Sequence, residues 1–293
     1  MTATQDAISE RLLRSSARHS YDPEVDIDWD APVDPTLWGM QPERMSLYGT
    51  YLWDGLTEEQ RITLSWHEVA SIASVGLWFE LLLMQMMLRD LYDDDPTGAH
   101  MQYALTEVAD ECRHSTMFGK SIAHFGVPAY GPPQRIHTLG RLFNHVVRGP
   151  SAYASILVAE ELLDTWQRDL MKDERVQPLT RATSQIHVVE EARHMRFARE
   201  EIARRTPELS GWQRRKHRTI VASVAAIVAD NLVQPGVYAA VGLDPDEART
   251  AARANEHYAG KLRDAAAGLT RFLREVGLIG GPSELLWKRA RLV

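Results

Sequence analysis

Two tetrapeptides of the form Glu-x-Arg-His contain residue types that bind metal ions. Residues 111–114 read ECRH and residues 191–194 read EARH. Side chains three residues apart on an α-helix point from nearly the same face, so the glutamate and histidine of each tetrapeptide can reach one metal ion. Two copies in one chain are far less expected by chance than one. The pair therefore predicts a metal centre built from carboxylates and imidazoles.

An internal spacing links these tetrapeptides to two further glutamates. A shift of 80 residues superimposes Glu111 on Glu191 and also Glu80 on Glu160. Each half of the chain thus offers one inward glutamate and then a helix with Glu-x-Arg-His, which is the pattern of four-helix dimetal carboxylate proteins. Glu161 adjoins Glu160 and is an alternative ligand, but only Glu160 preserves the spacing.

The surroundings of Glu80 favour the same interpretation. This residue lies within VGLWFELLLMQMML, residues 75–88. A carboxylate buried in so apolar a stretch is costly unless it is neutralised, paired with a cation or bound to a metal. We therefore predict that Glu80 is a metal ligand.

One histidine breaks the symmetry between the halves. His187 precedes Glu191 by four residues and His194 by seven, so the three side chains fall within about 60° on one helix face. The equivalent position in the first half is Glu107. We predict that His187 is a third histidine ligand and that Glu107 is an outer or optional partner of the site. A core histidine hydrogen-bonded to a carboxylate is the alternative for His187.

The elements that must position these residues are predicted to be helices. Thr57 and Gln60 form a capping-box pattern before a long apolar helix. Helices are predicted at about 57–92, 97–125, 133–148, 151–173, 178–204, 212–233, 244–275 and 282–291. The predicted class is all-α, a four-helix bundle with additional C-terminal helices. Residues 1–56 are predicted to be an extended N-terminal arm with Trp29 and Trp38 as anchors, and residues 57–293 one helical domain, with the metal-binding bundle at about 57–205.

Composition excludes several classes of protein. The chain has 293 residues, 44% hydrophobic and 25% charged, which is typical of a globular protein. A formal net charge of -7 argues against a nucleic-acid partner. A single cysteine, Cys112, excludes an intramolecular disulfide, and the N-terminus lacks the apolar run of a secretory signal. We expect a cytoplasmic location.

One apolar stretch, residues 69–88, is long enough to span a membrane. Glu80 lies near its middle, where a carboxylate is expensive in hydrocarbon. A buried core helix is therefore favoured over a lone membrane span, and no second run of this kind is expected.

The motifs together resemble the AurF-like diiron N-oxygenases of the ferritin-like superfamily. The resemblance depends on Glu80, on ECRH at 111–114, on Glu160 in AEELLD, and on the H-x-x-x-E-x-R-H at 187–194. The extra histidine separates this family from ferritins and ribonucleotide-reductase-like diiron proteins. The resemblance covers about residues 55–235. It implies that the metal ligands are Glu80, Glu111, His114, Glu160, His187, Glu191 and His194.

The resemblance also implies a reaction. Two Fe ions would use O2 and an external electron donor to oxidise an amine to a hydroxylamine, nitroso or nitro product, in secondary metabolism such as antibiotic biosynthesis. Carboxylates and imidazoles suit iron in both oxidation states. The expected partners are a small-molecule amine, free or tethered to a carrier, the electron donor and a second copy in a homodimer. A diiron or Fe/Mn enzyme that oxidises carbon, and an iron-binding bundle without enzymatic activity, are the alternatives.

Further residues near the ligands are candidates for supporting roles. Asp164, one turn after Glu160, and Asp230 in AIVADNL are candidates to orient ligand histidines. Glu190 is expected to face solvent or an arginine. The candidate substrate-pocket residues, for which a plain core position is the alternative, are Leu77, Met84, Tyr103, Tyr153 and Leu157.

Overall fold

The computed structural model describes residues 3–293, and their side chains from residue 6 onward. Helices dominate, and an isolated parallel bridge joins Trp38 to Val176. In chain order the helices are α1 Ala3–Ser16, α2 Pro23–Asp26, α3 Tyr51–Asp54, α4 Glu58–Leu91, α5 Ala99–His124, α6 Gln134–Val146, α7 Pro150–Leu170, α8 Pro178–Arg205, α9 Gly211–Asn231, α10 Gly236–Ala239, α11 Pro245–Ala254, α12 Glu256–Glu275 and α13 Glu284–Arg289.

Four long helices form the central bundle. Helix α4 packs on α5, and α7 packs on α8; the two pairs meet where α5 contacts α8 and α4 contacts α7. Helices α9 and α12 cover the outer side of α7, so most α7 side chains are buried. The predicted all-α, ferritin-like bundle with additional C-terminal helices is confirmed.

The start of α4 follows the sequence prediction. The Thr57 hydroxyl accepts a hydrogen bond from the Gln60 backbone N–H, and the Gln60 side chain accepts one from the Thr57 backbone N–H. This reciprocal capping box satisfies two donors at the helix N-terminus. It fixes where the helix that carries Glu80 begins.

The prediction of an extended arm is wrong for Ala3–Ser16, which form helix α1. This helix packs on α5 and α8. Its buried face consists of Ser9, Leu12 and Ser16, which are spaced as one helix face requires. Because two of the three are serines, the hydrophobic pattern does not reveal the helix. Residues 1 and 2 of the predicted arm lie outside the described residues.

The segment around residue 39 lies directly against α4. The Trp38 backbone N–H donates to the Arg175 carbonyl, and its carbonyl accepts from the Gln177 N–H. A Cβ on Gly39 would lie 2.6 Å from the Ser65 carbonyl oxygen, so only glycine allows this close approach. Trp38 stacks on Trp53 with ring centroids 6.1 Å apart, in agreement with its predicted anchoring role.

The single helix predicted at 244–275 is broken at Asn255. This residue has an extended backbone, and its side chain accepts hydrogen bonds from the N–H groups of His257 and Tyr258. Asparagine is among the preferred N-cap residues, and here it starts α12 immediately after α11 ends.

Within the part of the chain that the structure describes, two helical stretches are long and apolar enough to cross a membrane by length and composition, Glu58–Leu91 and Gly211–Ala239. The expectation that no second run exists is therefore wrong, because residues 219–241 are rich in alanine and valine with Asp230 as the only charge. In each helix 44% of the apolar window is buried inside the protein.

A buried carboxyl group lies where the N-terminal segment crosses α4. Glu68 accepts hydrogen bonds from the Ser46 N–H, at 3.1 Å, and the Ser46 hydroxyl, at 2.6 Å. The Ser46 hydroxyl also lies 2.9 Å from the Tyr238 hydroxyl. Burial raises the pKa of Glu68 to about 7 despite these hydrogen bonds. The folded protein therefore holds this carboxyl protonated under conditions in which the unfolded chain ionises it.

We predict that E68Q changes how stability depends on pH. Because the folded pKa is raised, the contribution of Glu68 to the free energy of unfolding falls by about 3 kcal/mol as pH rises from about 4.5 to about 7. Glutamine cannot ionise, so the free energy of unfolding of E68Q relative to the wild type should increase between pH 5 and pH 8. Urea unfolding at both pH values measures this. An unchanged difference would show that Glu68 does not titrate in this range.

Candidate metal centre

The four bundle helices bring all seven predicted ligands together. Among the described side chains, three overlapping groups of donor atoms occur in which the atoms lie within 4.8 Å of one another. Every member of these groups is buried. The groups are Glu111, His114, Glu191 and His194; Glu80, His114 and His187; and Glu160, His187 and Glu191.

Two glutamates lie between the two motif histidines. His114 Nδ1 is 3.2 Å from Glu111 Oε2 and 3.3 Å from Glu191 Oε1. His194 Nδ1 is 2.9 Å from Glu191 Oε1 and 3.1 Å from Glu111 Oε1. Glu111 and Glu191 thus face both imidazoles, and their carboxylates would hold metal ions together with these histidines.

The far nitrogen of each motif histidine contacts an acidic residue. His114 Nε2 is 2.8 Å from Glu190 Oε2, and His194 Nε2 is 3.2 Å from Asp110 Oδ2. Asp110 and Glu190 occupy equivalent positions in the two halves, and each contacts the histidine of the other half. Such partners hold the proton on Nε2 and leave Nδ1 free to bind a metal.

Of the two surroundings expected for Glu190, solvent is wrong because this residue is completely buried, and an arginine is confirmed by the contact with Arg193. Its Oε1 accepts a hydrogen bond from the Tyr21 backbone N–H at 3.0 Å and lies 3.7 Å from Arg193. Arg193 also donates to the His19 carbonyl at 3.0 Å. The segment that follows α1 therefore closes this side of the centre. The 80-residue spacing that relates Asp110 to Glu190 is the sequence signal that would have found both residues.

His187 presents its Nε2 to three carboxylates. The distances are 3.8 Å to Glu80, 3.9 Å to Glu160 and 3.8 Å to Glu191. These distances are too long for hydrogen bonds. They are close to the separation of two atoms that bind the same metal ion from opposite sides, because each metal–ligand bond is about 2 Å long. Its Nδ1 lies 2.7 Å from Gln167 Oε1, so Nδ1–H donates to the amide and Nε2 is the free donor atom.

The pKa values of the buried glutamates are strongly shifted, which indicates that positive charge is required close to them. Burial and then the carboxylates of Glu191, Glu111 and Glu80 raise the pKa of Glu160 well above its ordinary value. Although burial opposes ionisation, the imidazoles of His194 and His187 hold the pKa of Glu191 well below its usual range. Glu191 Oε2 is buried and has no hydrogen-bond partner among the described residues. This donor set fits two divalent cations, whose binding would displace the shared protons.

The pKa values of His114 and Glu107 also indicate that protons are held within this cluster. Burial disfavours a charged imidazole, yet contacts with Glu111, Glu190 and Glu191 raise the pKa of His114 well above its ordinary value. Burial also raises the pKa of Glu107 well above 4.5, and its Oε2 has no partner among the described residues. The proposed role of Glu107 beside the ligands stays a prediction.

The predicted orienting roles of Asp164 and Asp230 are wrong. Asp164 accepts a hydrogen bond from Arg168 at 2.6 Å. Asp230 lies at the surface, where it pairs with Arg249 and Arg253. Arginines near these aspartates in the fold compete for the carboxylates, and the histidines use Asp110, Glu190 and Gln167 instead.

A narrow cavity of about 60 Å³ lies beside the centre. Each bundle helix lines it with a residue about one turn from a ligand: Gly76 before Glu80, Phe118 after His114, Leu163 after Glu160 and Thr183 before His187. Gln167, the partner of His187, lines it too. The cavity therefore adjoins the end of the centre marked by His187.

None of the five predicted pocket residues lines this cavity. Tyr103, Tyr153 and Leu157 belong to the buried hydrophobic core, and Tyr103 packs against Phe197 with ring centroids 5.1 Å apart. Met84 Sδ lies 3.4 Å from Cys112 Sγ, and Leu77 lies close to Gly119. The core alternative applies to Tyr103, Tyr153 and Leu157, because the open space lies at the other end of the centre.

Comparison with known proteins agrees with this geometry. A family model described as p-aminobenzoate N-oxygenase AurF matches residues 2–277. The chain belongs to the AurF family. The match extends well beyond residues 55–235, so the N-terminal segment and most of the C-terminal helices are part of what the family shares. AurF-family membership and the buried cluster are consistent with a metal-dependent oxygenase.

Curated relatives include an uncharacterized protein of Mycobacterium bovis and two of Mycobacterium tuberculosis. Each is 30% identical over 212 residues, which cover 69% of this chain. The matched region spans 62% of the length of each relative.

We predict that E160A and E161A differ in bound metal. Glu160 faces His187, whereas Glu161 pairs with Arg199 on the outer side of α7. After reconstitution with Fe(II), E160A should bind less iron, and E161A should keep about two ions per chain, as a dimetal site requires. Elemental analysis of the purified variants measures this. Full loading of E160A together with loss in E161A would reverse the ligand assignment.

A second prediction concerns His187. H187A should keep the helical circular dichroism of the wild type, because the apolar faces of α7 and α8 remain. It should change the Mössbauer signature of the iron-loaded protein, because one nitrogen ligand is lost. The unchanged spectrum of a variant with a markedly lower melting temperature would assign His187 to packing instead.

Proposed function

We propose that this protein is a diiron N-oxygenase that uses O2 to oxidise an amine. The observation that carries the proposal is the third histidine, whose Nε2 faces Glu80, Glu160 and Glu191 beside a cavity. Membership of the AurF family supports the same reaction class. The metal would be held by Glu80, Glu111, His114, Glu160, His187, Glu191 and His194.

When bound, iron would supply the redox chemistry of O2 activation. The first oxidation converts R–NH2, O2, two electrons and two protons into R–NHOH and water. The two electrons come from an external donor. The residues of this chain have three tasks: to hold the ligands in place, to admit the amine next to them and to keep bulk water out.

Asp110, Glu190 and Gln167 hold the ligands in place. Each contacts the nitrogen of a ligand histidine that faces away from the centre. Removing such a partner typically lowers metal affinity or activity by about 10- to 100-fold. The burial of the ligands also keeps solvent from the reacting atoms.

The narrow cavity admits the amine next to the ligands. Its walls are mainly apolar, and Thr183 and Ser184, which lie about one turn before His187 on α8, line it too. Arg44 and Trp166 also line it, with the guanidinium 5.9 Å from the centre of the indole ring. A volume of about 60 Å³ holds only a few water molecules, so an aryl amine requires these side chains to move apart.

A second candidate is an oxidase that hydroxylates or desaturates carbon on the same centre. The apolar lining of the cavity, from Ile72, Phe118 and Leu163, favours it because a hydrocarbon group would be well accommodated there. Such an enzyme would use the same ligands and the same electron donor. The position of the new oxygen in the product distinguishes the two reactions.

We predict that the reduced, iron-loaded protein oxidises an amine nitrogen. A panel of aminobenzoates and other primary amines is incubated with 18O2 and a chemical reductant, and the products are analysed by mass spectrometry. The label should appear on nitrogen. Label found only on carbon would assign the second candidate, and iron in large excess over two per chain without product would indicate an iron-storage bundle.

The cavity is tested with T183L, which fills space beside His187, and T116L on the exposed side of α5 as the matched control. T183L should raise KM for the amine at least several-fold with iron content unchanged. T116L should leave both unchanged. Equal KM values in the two variants would place the amine elsewhere.

A further inference from the structure

Two further cavities lie between α6, α9 and the C-terminal helices. One has a volume of about 710 Å³ and the other about 330 Å³. They share four lining residues, so they form one continuous depression, here called the α6–α9 groove. The shared residues are Ile136, Leu139, Ile227 and Asn231.

The groove lies apart from the metal centre. Where it reaches α4, its lining residues include Val75, Phe79 and Met86. On a helix these side chains point about 100° to 140° away from Glu80. The narrow cavity beside the metal centre and the α6–α9 groove therefore lie against different faces of α4.

The larger end of the groove is strongly basic. Five arginines and a single acidic residue, Asp230, line it, which gives this wall a formal charge of +4 in a chain of net charge -7. Asp230 pairs with Arg249 and Arg253, and Arg291 pairs with Glu256. Arg135 and Arg289 form no ion pair with the described residues. The five arginines are Arg135, Arg249, Arg253, Arg289 and Arg291.

The smaller end is apolar and open. Leu142 and Val146 of α6 are 58% and 60% exposed, although both are large apolar side chains. They face Ile220 and Val224 of α9 across the groove. From Ile136 to Val146 the α6 wall runs for about 15 Å. A contiguous exposed apolar surface rimmed by polar residues is typical of an interaction site or a ligand-binding groove.

We propose that the α6–α9 groove binds an amphipathic anion, a carboxylate with a long alkyl chain. The carboxylate lies at the basic end, where Arg135 and Arg289 are free to form charge-assisted hydrogen bonds. The alkyl chain lies along α6 at the apolar end. Both volumes fall in the range of small-molecule pockets, and the charge pattern matches an anionic head group followed by an apolar tail.

The test uses sodium dodecanoate below its critical micelle concentration, added to the purified protein in a calorimeter. Dodecanoate should bind, whereas dodecyltrimethylammonium, which has the same chain and the opposite charge, should not. Because the groove is separate from the ligands, metal-free and iron-loaded protein should bind equally. The result is independent of whether an amine is oxidised.

Two variants locate the site. R135Q/R289Q should weaken dodecanoate binding about tenfold or more, and R271Q, on an exposed part of α12 outside the groove, should not. L142E should also weaken it, whereas L105E, which replaces a leucine 42% exposed on α5, should bind normally.

Three outcomes would overturn the proposal. The first is the absence of dodecanoate binding, and the second is equal affinity for the cationic surfactant. The third is a wild-type dimer, measured by analytical ultracentrifugation, that L142E dissociates while dodecanoate has no effect. That result would make the groove an interface between two copies of the chain.

Discussion

The burial of four glutamates at one point of a helical bundle is the constraint on which the rest of the structure depends. Glu80, Glu111, Glu160 and Glu191 are each at most 3% exposed. Their mutual repulsion and the loss of water would be prohibitive without positive charge nearby. The imidazoles of His114 and His194 supply part of it by sharing protons, and two metal ions would supply the rest.

The two halves of the chain stabilise each other through this centre. Asp110 of one half contacts His194 of the other, and Glu190 contacts His114 in return. Arg193 lies next to both acids, and residues 19–21 close the same side. Because these contacts cross the bundle, the helices must hold a fixed register before the ligand atoms converge. His187 alone breaks the symmetry, and the narrow cavity lies at its end.

Much of this arrangement could be predicted from the sequence, because metal-binding residue types at helical spacing form a recognisable sequence pattern. The 80-residue relation found Glu80 and Glu160 as well as both motifs, and the capping box fixed the start of α4. Helix α1 was missed because serines fill its buried positions, and the break at Asn255 was missed because a polar cap leaves the flanking pattern intact. The predictions for Asp164, Asp230 and the five pocket residues differ from the structure for another reason. Which carboxylate meets which histidine, and where empty space remains, depends on three-dimensional packing that spacing along one helix does not contain.

The most direct test of the account is a crystal of the protein reconstituted with Fe(II), with anomalous diffraction measured at the iron edge. Two iron peaks should appear among the seven ligands, about 3.5–4 Å apart, with Glu111 and Glu191 between them. A single peak, or iron bound elsewhere with this cluster empty, would contradict the dimetal centre.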